Sequence, residues 1–352
     1  MQISRAFDEM FMQHALTLAT KGWGRTGINP FVGAVVVKNG RIIGQGYHRK
    51  IGEAHAEVIA LAEAGIRARN SDLYVNLEPC CVHGYTPPCV NALIASKIKR
   101  VVVAAKDPNP AVNGKGIMAL RQHGIEVVEH VLVTQACELN RWYGKYIVTK
   151  MPYVILKIAV TENMKISGFS TKYITSEDSL RYVHALRSQV GAVLIGINTL
   201  LTDNPLLTDR LVRRHNPARI VIDPHLEIPL DANFLLPTAR RIIITKPDNT
   251  PTKMDALREL GVELVCLDAD HYPTRELLVN IGLLKIGSLL VEGGGETFTC
   301  FLKEKNYDEL YLFVAPTSAP KGIEINLDQA IFTGKAPEKI GEDSLYHVYR
   351  NN

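Results

Sequence analysis

The first 150 residues alternate between helical and strand-like hydrophobic patterns. Apolar side chains recur at helical spacing over residues 8–21, and Gly22 ends that pattern. Two apolar runs then flank Asn39-Gly40, a dipeptide typical of a tight hairpin. Further on, the pattern predicts helices at 55–64 and 87–98, strands at 71–78, 99–107 and 124–131, and a helix between the last two strands. This order predicts an α/β fold with helices covering a sheet.

A second α/β pattern begins near residue 150, where Pro152 marks the junction. We expect the domain boundary at 147–151, which gives domains of residues 1–148 and 149–352. The second domain is predicted to have strands at 151–160, 191–197, 218–224, 240–246, 262–267, 287–293 and 308–316. Helices are predicted at 177–189, 252–260, 274–281 and 296–304, and a polar stretch follows the strand that ends at Gly196.

The composition and charge of the chain exclude several classes of function. The chain has 352 residues, 46% of them hydrophobic, with a net charge of +4. That charge is too small and too scattered for a dedicated nucleic-acid protein, but it suits an anionic small-molecule substrate. Six cysteines in a chain of this length are not a disulfide framework, and a reducing cytoplasm is the expected compartment. No apolar run is long enough to predict a membrane span, and the first residues are not typical of a signal peptide.

The segment "NLEPCCVHGYTPPC" at 76–89 and "HAE" at 55–57 together predict a catalytic zinc site. His55, Cys80 and Cys89 supply three nitrogen and sulfur ligands, which leaves the fourth position for water. His55 and Cys89 each fall at a predicted helix start, where the partial positive charge favours thiolates. Glu57 is the expected proton shuttle, because it has the reach and basicity to carry a proton from water to a leaving amine.

Alternatives to this catalytic site remain open. A structural zinc or an inert cysteine cluster would use the same residues. Cys81 and His83 are spare candidate ligands, although Cys81 points away from Cys80 if the chain is extended there. A zinc nucleobase deaminase usually carries P-C-x-x-C, whereas Cys80 and Cys89 are nine positions apart in this chain.

Two features of the second half indicate a phosphate-bearing ligand. "GSLLVEGGGETF" at 287–298 predicts a strand, a glycine turn and a helix start, where backbone N–H groups can approach a phosphate. It is not the dinucleotide fingerprint G-x-G-x-x-G, and a turn without any ligand remains the alternative. Arg187 and Arg210 can pair with a phosphate, or they can be solvated surface arginines.

At these residues the chain resembles the bifunctional riboflavin-biosynthesis deaminase–reductase family. The resemblance rests on His55-Ala56-Glu57, Leu77-Glu78-Pro79-Cys80 and Thr86-Pro87-Pro88-Cys89, and it extends through "INPFVGAVVV" and "KDPNP" to the C-terminal half. It implies a cytidine-deaminase-like three-layer α/β/α domain that removes the 2-amino group of a diaminopyrimidinone carrying a phosphoribosylamino arm. It also implies that Asn29, His48, Asp107 and Asn109 border the pyrimidine pocket.

The same resemblance implies a dihydrofolate-reductase-like second domain that uses NADPH to reduce the ribose to a ribityl chain, and it implies self-association. Cofactor contacts carried over by position are Ala159, Tyr173, Thr199, Asp203, Gly294, Gly295, Glu296, Thr297, Phe298, Thr299 and Cys300. Substrate contacts carried over in the same way are Lys157, Thr171, Arg187, Leu207, Arg210 and Glu292.

The chain departs from the family pattern in two loops. Val82 and Tyr85 replace a His and a basic residue that the family commonly has between its two cysteines, and His83 stands one position along. In the second domain, Asn163 and Met164 replace an Asp and a Gly, and the loop at 166–171 is shortened. Two alternatives follow: a deaminase with a degenerate reductase domain, or a nucleoside or nucleic-acid deaminase with an accessory domain.

Overall fold

The computed structural model describes residues 5–169, 173–212, 215–268, 272–327, 332 and 336–350. The chain divides into two compact units, Met1–Lys150 and Met151–Asn352. Thr171, predicted to contact substrate, lies outside the described residues. Among the residues described, no helix is long and apolar enough to cross a membrane.

The first unit is a mixed sheet with helices on both faces. Its strands are β1 (Gly33–Lys38), β2 (Arg41–Tyr47), β3 (Asp72–Leu77), β4 (Arg100–Ala105) and β5 (Glu126–Val128), in the spatial order β2-β1-β3-β4-β5. The helices are α1 (Arg5–Ala19), α2 (Ala56–Ala64), α3 (Cys89–Ala95), α4 (Lys115–Gln122), α5 (Val133–Leu139) and α6 (Arg141–Thr149). Strand β1 pairs antiparallel with β2 and β3, whereas β3, β4 and β5 run parallel.

Close packing explains the small residues on β1 and β2. A Cβ at Gly33 would lie 2.1 Å from the carbonyl oxygen of Ala15, so α1 rests directly on one face of β1. The next residue, Ala34, points to the opposite face, where it packs with Ala56 and Ala60 of α2. The predicted hairpin is confirmed, because Asn39 and Gly40 both have the positive φ values that a two-residue turn requires.

The second unit is built on a larger mixed sheet. Over the described residues its strand order is β10-β9-β8-β7-β11-β6-β12-β14-β13. The strands are β6 (Tyr153–Thr161), β7 (Ala192–Gly196), β8 (Ala218–Ile222), β9 (Arg241–Thr245), β10 (Glu263–Cys266), β11 (Ser288–Val291), β12 (Glu309–Ala315), β13 (Glu338–Ile340) and β14 (Asp343–Tyr349). The helices are α7 (Glu177–Arg187), α8 (Ile197–Asp203), α9 (Pro251–Glu259), α10 (Thr274–Leu283) and α11 (Gly295–Lys303).

The predicted α/β class is confirmed, with several differences in the elements. Strands β6 to β12 pair in parallel, and β14 and β13 add antiparallel strands beyond β12. Helix α8, residues 197–203, lies at the start of the polar stretch expected after Gly196 and was not predicted. Helices α5 and α6 and strands β13 and β14 were not predicted at all. Short 3-10 turns lie at Thr20–Gly22, Gly65–Ala68 and Asn233–Leu235.

Candidate active sites

The three predicted zinc ligands converge at one point of the first unit. The ligand atoms of His55, Cys80 and Cys89 all lie within 4.8 Å of one another. His55 Nδ1 is 3.2 Å from Cys89 Sγ and 3.5 Å from Cys80 Sγ. Zinc bonds of about 2.0–2.1 Å to nitrogen and about 2.3 Å to sulfur, at tetrahedral angles, separate such ligands by roughly 3.6 Å. The three donors therefore fit a zinc ion with one position open.

The local fold brings these ligands together. His55 is the N-cap of α2, and Cys89 is the first residue of α3, directly after Pro88. Cys80 follows the end of β3, and its sulfur accepts a hydrogen bond of 3.3 Å from the backbone N–H of Cys89. The site therefore lies at the N-terminal ends of two helices, where the helix dipoles favour a negatively charged thiolate.

Electrostatics at this site favour proton transfer. Hydrogen bonds from Cys89 and His55 lower the pKa of Cys80, although burial opposes them. Burial, together with the negative charge on Cys80, raises the pKa of Glu57 to about 6. Only 3% of Glu57 is exposed, and its carboxyl interacts with Cys89. A carboxyl with a pKa near neutrality can both accept and return a proton.

Asn29 and His48 form a hydrogen-bonded pair beside the ligand cluster. The rings of His48 and His55 meet edge to face, with centroids 5.3 Å apart. His48 Nδ1 lies 3.3 Å from the Ala54 carbonyl, so it carries the proton, and Nε2 accepts from the Asn29 amide at 3.1 Å. Burial lowers the pKa of His48, which favours this neutral form.

Asp107 and Asn109 belong to a loop that also borders this site. Asp107 Oδ1 accepts hydrogen bonds from the Tyr143 hydroxyl at 3.0 Å and from the Asn109 backbone N–H at 2.8 Å. Burial raises the pKa of Asp107 to about 6, and the negative charges of Glu78 and Cys80 add to that rise. The Asp107 N–H donates to Glu78 at 3.1 Å, which connects this loop to the segment two residues before Cys80.

The segment between Cys81 and Thr86 is the most exposed part of the site. Tyr85 is 76% exposed and Val82 is 37% exposed, and the His83 ring lies 3.3 Å from the Gly84 carbonyl, next to it in the chain. Thr86 Oγ1 lies 3.4 Å from His55 Nε2, opposite the nitrogen that faces the two sulfurs. Cys81 is half-buried and packs against the apolar core.

A cavity of about 1100 Å³ in the second unit brings together most of the predicted reductase residues. Of the predicted set, Thr299 does not line it; its hydroxyl donates instead to the Gly295 carbonyl, one turn back in α11. The predicted residues that line the cavity are Lys157, Ala159, Tyr173, Arg187, Thr199, Asp203, Leu207, Arg210, Glu292, Gly294, Gly295, Glu296, Thr297, Phe298 and Cys300.

The glycine turn lies at the edge of this cavity. Gly294 has a φ of 80°, a conformation that side chains other than glycine rarely adopt, and α11 begins at the next residue. A Cβ at Gly294 would lie 3.2 Å from the Thr199 hydroxyl, so the turn and α8 are in close contact. The N–H groups in the first turn of a helix have no partner within the helix, so the start of α11 suits an anionic ligand.

Arg187 and Glu292, both predicted substrate contacts, bind each other. The guanidinium Nε and Nη2 donate to the two carboxylate oxygens at 2.5 and 2.6 Å, and Nη1 donates to the Thr208 carbonyl. Burial alone would raise the pKa of Glu292, but Arg187 and Lys157 hold it below its ordinary value. Burial lowers the pKa of Lys157 in the same cluster. Arg187 therefore already binds a carboxylate through two of its nitrogens.

Met164 occupies a turn that glycine would favour. Its φ is 60°, and its N–H donates to the Thr161 carbonyl at 2.9 Å. The Asn163 side chain binds both the Thr161 hydroxyl and the Ala319 carbonyl. The substituted turn is thus closed by hydrogen bonds, and the neighbouring segment 166–169 lines the cavity.

Sequence reasoning missed three residues that contribute to the sites. His184 lines the cavity, is 3% exposed, and lies one helical turn before Arg187 on α7, a spacing that was visible in the sequence. Asn140 and Tyr143 lie at the start of α6, which was not predicted. Asn140 makes two hydrogen bonds with the backbone of Phe31, and Asn76 makes one, so the segment that carries Asn29 is fixed from two sides.

Comparison with known proteins places these two sites in one family. The family model for the cytidine and deoxycytidylate deaminase zinc-binding region matches residues 5–105, and the model for the RibD C-terminal domain matches residues 152–318. The riboflavin biosynthesis protein RibD of Aquifex aeolicus is 44% identical over 98% of this chain and 99% of its own length. The chain belongs to the RibD family. The Escherichia coli RibD is 35% identical over 97% of this chain and 99% of its own length.

Solved RibD structures agree over the whole chain. Acinetobacter baumannii RibD superposes with a TM-score of 0.87 at 32% identity, covering 99% of this chain and 100% of that one. A Thermotoga maritima protein described as a diaminohydroxyphosphoribosylaminopyrimidine deaminase/5-amino-6-(5-phosphoribosylamino)uracil reductase superposes with a TM-score of 0.86 at 35% identity, covering 99% of each chain. This protein is therefore a bifunctional enzyme of riboflavin biosynthesis, with a zinc-type deaminase domain and a reductase domain.

Proposed function

We propose that the first unit deaminates 2,5-diamino-6-(5-phosphoribosylamino)pyrimidin-4(3H)-one, and that the second unit reduces the product with NADPH. The second step converts the ribosyl group of 5-amino-6-(5-phosphoribosylamino)uracil to a ribityl group. The observation that carries this proposal is the convergence of His55, Cys80 and Cys89 beside the buried carboxyl of Glu57. The match to a protein described as the corresponding deaminase/reductase supports the choice of substrate.

In the proposed deamination, His55, Cys80 and Cys89 hold a zinc ion. When bound, zinc makes hydroxide available from water near neutral pH. Glu57 takes a proton from that water, and the water oxygen bonds to the ring carbon that carries the amino group. Glu57 then delivers the proton to the exocyclic nitrogen, so the carbon–nitrogen bond breaks, ammonia leaves and the oxygen stays on the ring. The raised pKa of Glu57, about 6, suits both transfers.

The pyrimidine ring is proposed to bind between two polar walls. The Asn29–His48 pair is the proposed first wall. The hydrogen bonds of His48 to Asn29 and to the Ala54 carbonyl fix its tautomer. Asp107 and Asn109 form the other wall, and Tyr143 holds Asp107 in place. These groups offer donors and acceptors to the ring edges, which is how enzymes of this type distinguish pyrimidines.

In the proposed reduction, the protein holds NADPH and the sugar in the cavity of the second unit. The glycine turn before α11 and the neighbouring α8 are proposed to contact the cofactor, with residues Ala159, Tyr173, Thr199, Asp203 and Gly294–Cys300. Lys157, Leu207, Arg210 and the Arg187–Glu292 pair are proposed to contact the substrate, as is Thr171. The hydride belongs to the cofactor, and the protein orients it and excludes water.

The cellular setting forms part of the same proposal. We expect a cytoplasmic enzyme that self-associates, with a phosphorylated pyrimidine as its small-molecule partner and no role for nucleic acid or membrane. The even scatter of charge and the isolated cysteines outside 80–89 support this setting.

The substitution Glu57→Gln tests the deamination. It should lower ammonia release by about 10²–10⁴-fold, the usual contribution of a general acid–base group, while the zinc content stays the same. His55→Ala is the matched comparison, and it should lose zinc as well as activity. Full ammonia release from Glu57→Gln would contradict the proton-transfer role.

The reductase is tested separately, by giving the wild-type protein the deaminated intermediate and following NADPH absorbance. Oxidation of NADPH well above the rate without protein is expected. A rate no higher than that background would leave the deaminase proposal standing and reject the reductase.

A further inference from the structure

Glu78 has a role in the first unit that its place in the "LEPC" motif does not reveal. Its side chain is 3% exposed, and its carboxylate accepts four hydrogen bonds, all from backbone N–H groups. Oε2 accepts from Asp107 at 3.1 Å and from Gly114 at 2.8 Å. Oε1 accepts from Gly116 at 2.9 Å and from Ile117 at 3.1 Å.

These donors lie at both ends of one loop. Asp107 is the second residue after β4, and Gly116 and Ile117 lie in the first turn of α4. One carboxylate therefore closes the segment 107–117 and satisfies N–H groups at the start of the helix, which have no partner within the helix. Hydrogen bonds from N–H groups to a charged acceptor are about twice as strong as neutral ones.

Steric contact fixes the same arrangement. A Cβ at Gly116 would lie 2.1 Å from the Pro79 carbonyl oxygen and 3.2 Å from Glu78 Oε1. The start of α4 is thus pressed against the Glu78-Pro79 backbone, immediately before Cys80. Only a residue without a side chain fits there, and Gly114, with a φ of 88°, makes the turn that leads into the contact.

We propose that Glu78 is a positioning residue for the deamination: it fixes Asp107 and Asn109 relative to Cys80, and so holds one wall of the pyrimidine pocket against the metal-binding segment. Glu78 is linked to the metal-binding segment directly by the chain, since it lies two residues before Cys80. On the other side, the Asp107 N–H is bound by Glu78, and the Asp107 carboxylate in turn accepts the N–H of Asn109. This proposal rests on the proposed deaminase function.

The four backbone N–H groups that bind Glu78 all need an oxygen atom as acceptor. In Glu78→Gln, one oxygen becomes an NH₂ group that faces two backbone N–H donors, so two of the four bonds are lost and a donor–donor conflict appears. The loop should then leave its position, whereas the zinc ligands keep theirs. We expect the KM for the diaminopyrimidinone to rise at least tenfold, with a smaller fall in kcat.

The experiment compares Glu78→Gln, Asn109→Ala and the double variant in ammonia release from 2,5-diamino-6-(5-phosphoribosylamino)pyrimidin-4(3H)-one. If Glu78 acts through the loop that carries Asn109, the KM of the double variant should lie well below the product of the two single increases. Zinc content and NADPH oxidation should match those of the wild type. Glu138→Gln, at a carboxylate that is 59% exposed in the same unit, is the control and should leave KM unchanged.

Three results would each overturn the proposal. They are a KM of the double variant equal to the product of the two single increases, an unchanged KM in Glu78→Gln, or a loss of activity that only follows a loss of zinc. If Glu78→Gln does not fold, Gly116→Ala replaces it, because its added Cβ displaces the start of α4 while the carboxylate remains. The same rise in KM is then expected, and an unchanged KM would overturn the proposal. Absence of ammonia release from the wild-type protein would instead reject the proposed function itself.

Discussion

At the scale of single residues, His184 is held neutral by its surroundings. Burial lowers its pKa to about 4, and the positive charges of Arg187 and Arg210 add to that effect, while Glu292 and Asp209 oppose it. Its Nδ1 is buried without a hydrogen-bond partner among the described residues, whereas Arg187 nearby binds Glu292 through Nε and Nη2. A protonated His184 would therefore add a third positive charge to a cluster that holds two arginines.

This environment predicts a pH dependence of stability. Below pH 6.5, the ordinary value, the unfolded chain binds a proton at His184 that the folded chain does not bind until about pH 4. The free energy of unfolding of the second unit should therefore fall as the pH falls through that interval. His184→Gln should reduce this slope in urea unfolding followed between pH 7 and 4.5.

His225→Gln, at an exposed site in the same unit, is the matched control and should keep the wild-type slope. An identical slope in the wild type and in His184→Gln would contradict the assignment of the effect to His184.

How far single residues could be predicted depended on whether their role was local in the sequence. The cluster of His55, Cys80 and Cys89 beside Glu57 could be predicted, because the helix starts and the strand end that carry these residues are recognisable from local patterns. The pairing of Arg187 with Glu292 could not, because 105 positions separate the two residues and only the fold brings them together. Glu78 was recognised as part of the motif at residues 77–80. Its hydrogen-bond partners could not be predicted, because they are backbone N–H groups, which nearly every residue type has.

At the scale of secondary structure elements, strands were predicted more completely than the short helices at their ends. Buried parallel strands are continuous apolar runs, and those of the second unit up to β12 were all found. Helices α5 and α6 meet at Asn140, which ends one and begins the next, so neither has the length that makes a 3.6-residue period visible. Strands β13 and β14 lie at one end of the sheet, and polar and apolar residues alternate along them. This alternation is a weaker sequence signal than the continuous apolar run of a buried strand.

The contact between α1 and β1 gives a prediction at this scale. In Gly33→Ala the new Cβ would lie 2.1 Å from the Ala15 carbonyl oxygen and 2.7 Å from the Ala19 nitrogen, and neither backbone atom can move unless the helix moves. We expect a loss of about 1–3 kcal/mol in the stability of the first unit, the usual cost of overpacking. Chemical denaturation followed by a probe in that unit measures it.

Gly84→Ala is the matched control, since a Cβ added there would meet nothing within 4 Å and the loop is exposed. Equal stability of Gly33→Ala and Gly84→Ala would show that α1 does not press on the sheet as described.

At the scale of the whole molecule, two separate cores are the main feature. Each unit has its own sheet and its own buried cluster of apolar side chains. The predicted metal site uses residues of the first unit alone, and the predicted cofactor site uses residues of the second alone. A ligand that binds only the folded form of one unit should therefore stabilise that unit.

Calorimetry tests this separation. Removal of zinc with a chelator should lower the temperature of one unfolding transition, and addition of NADPH should raise the temperature of another. Zinc-free His55→Ala should show the first shift without any chelator. A single transition that responds equally to both treatments would contradict independent units.

The order of strands in the second sheet has a consequence for how the protein is made. Strand β6 leaves the ribosome first in its unit, yet its neighbours are β11 and β12, so the chain from Thr161 to Ser288 must be synthesised before β6 gains a partner. At ~5–20 residues per second this takes roughly 6–25 s. By then the whole first unit has been synthesised, whereas β6, an apolar strand of the second unit, still has no partner strand. During translation, β6 is therefore the segment for which chaperone protection should matter most.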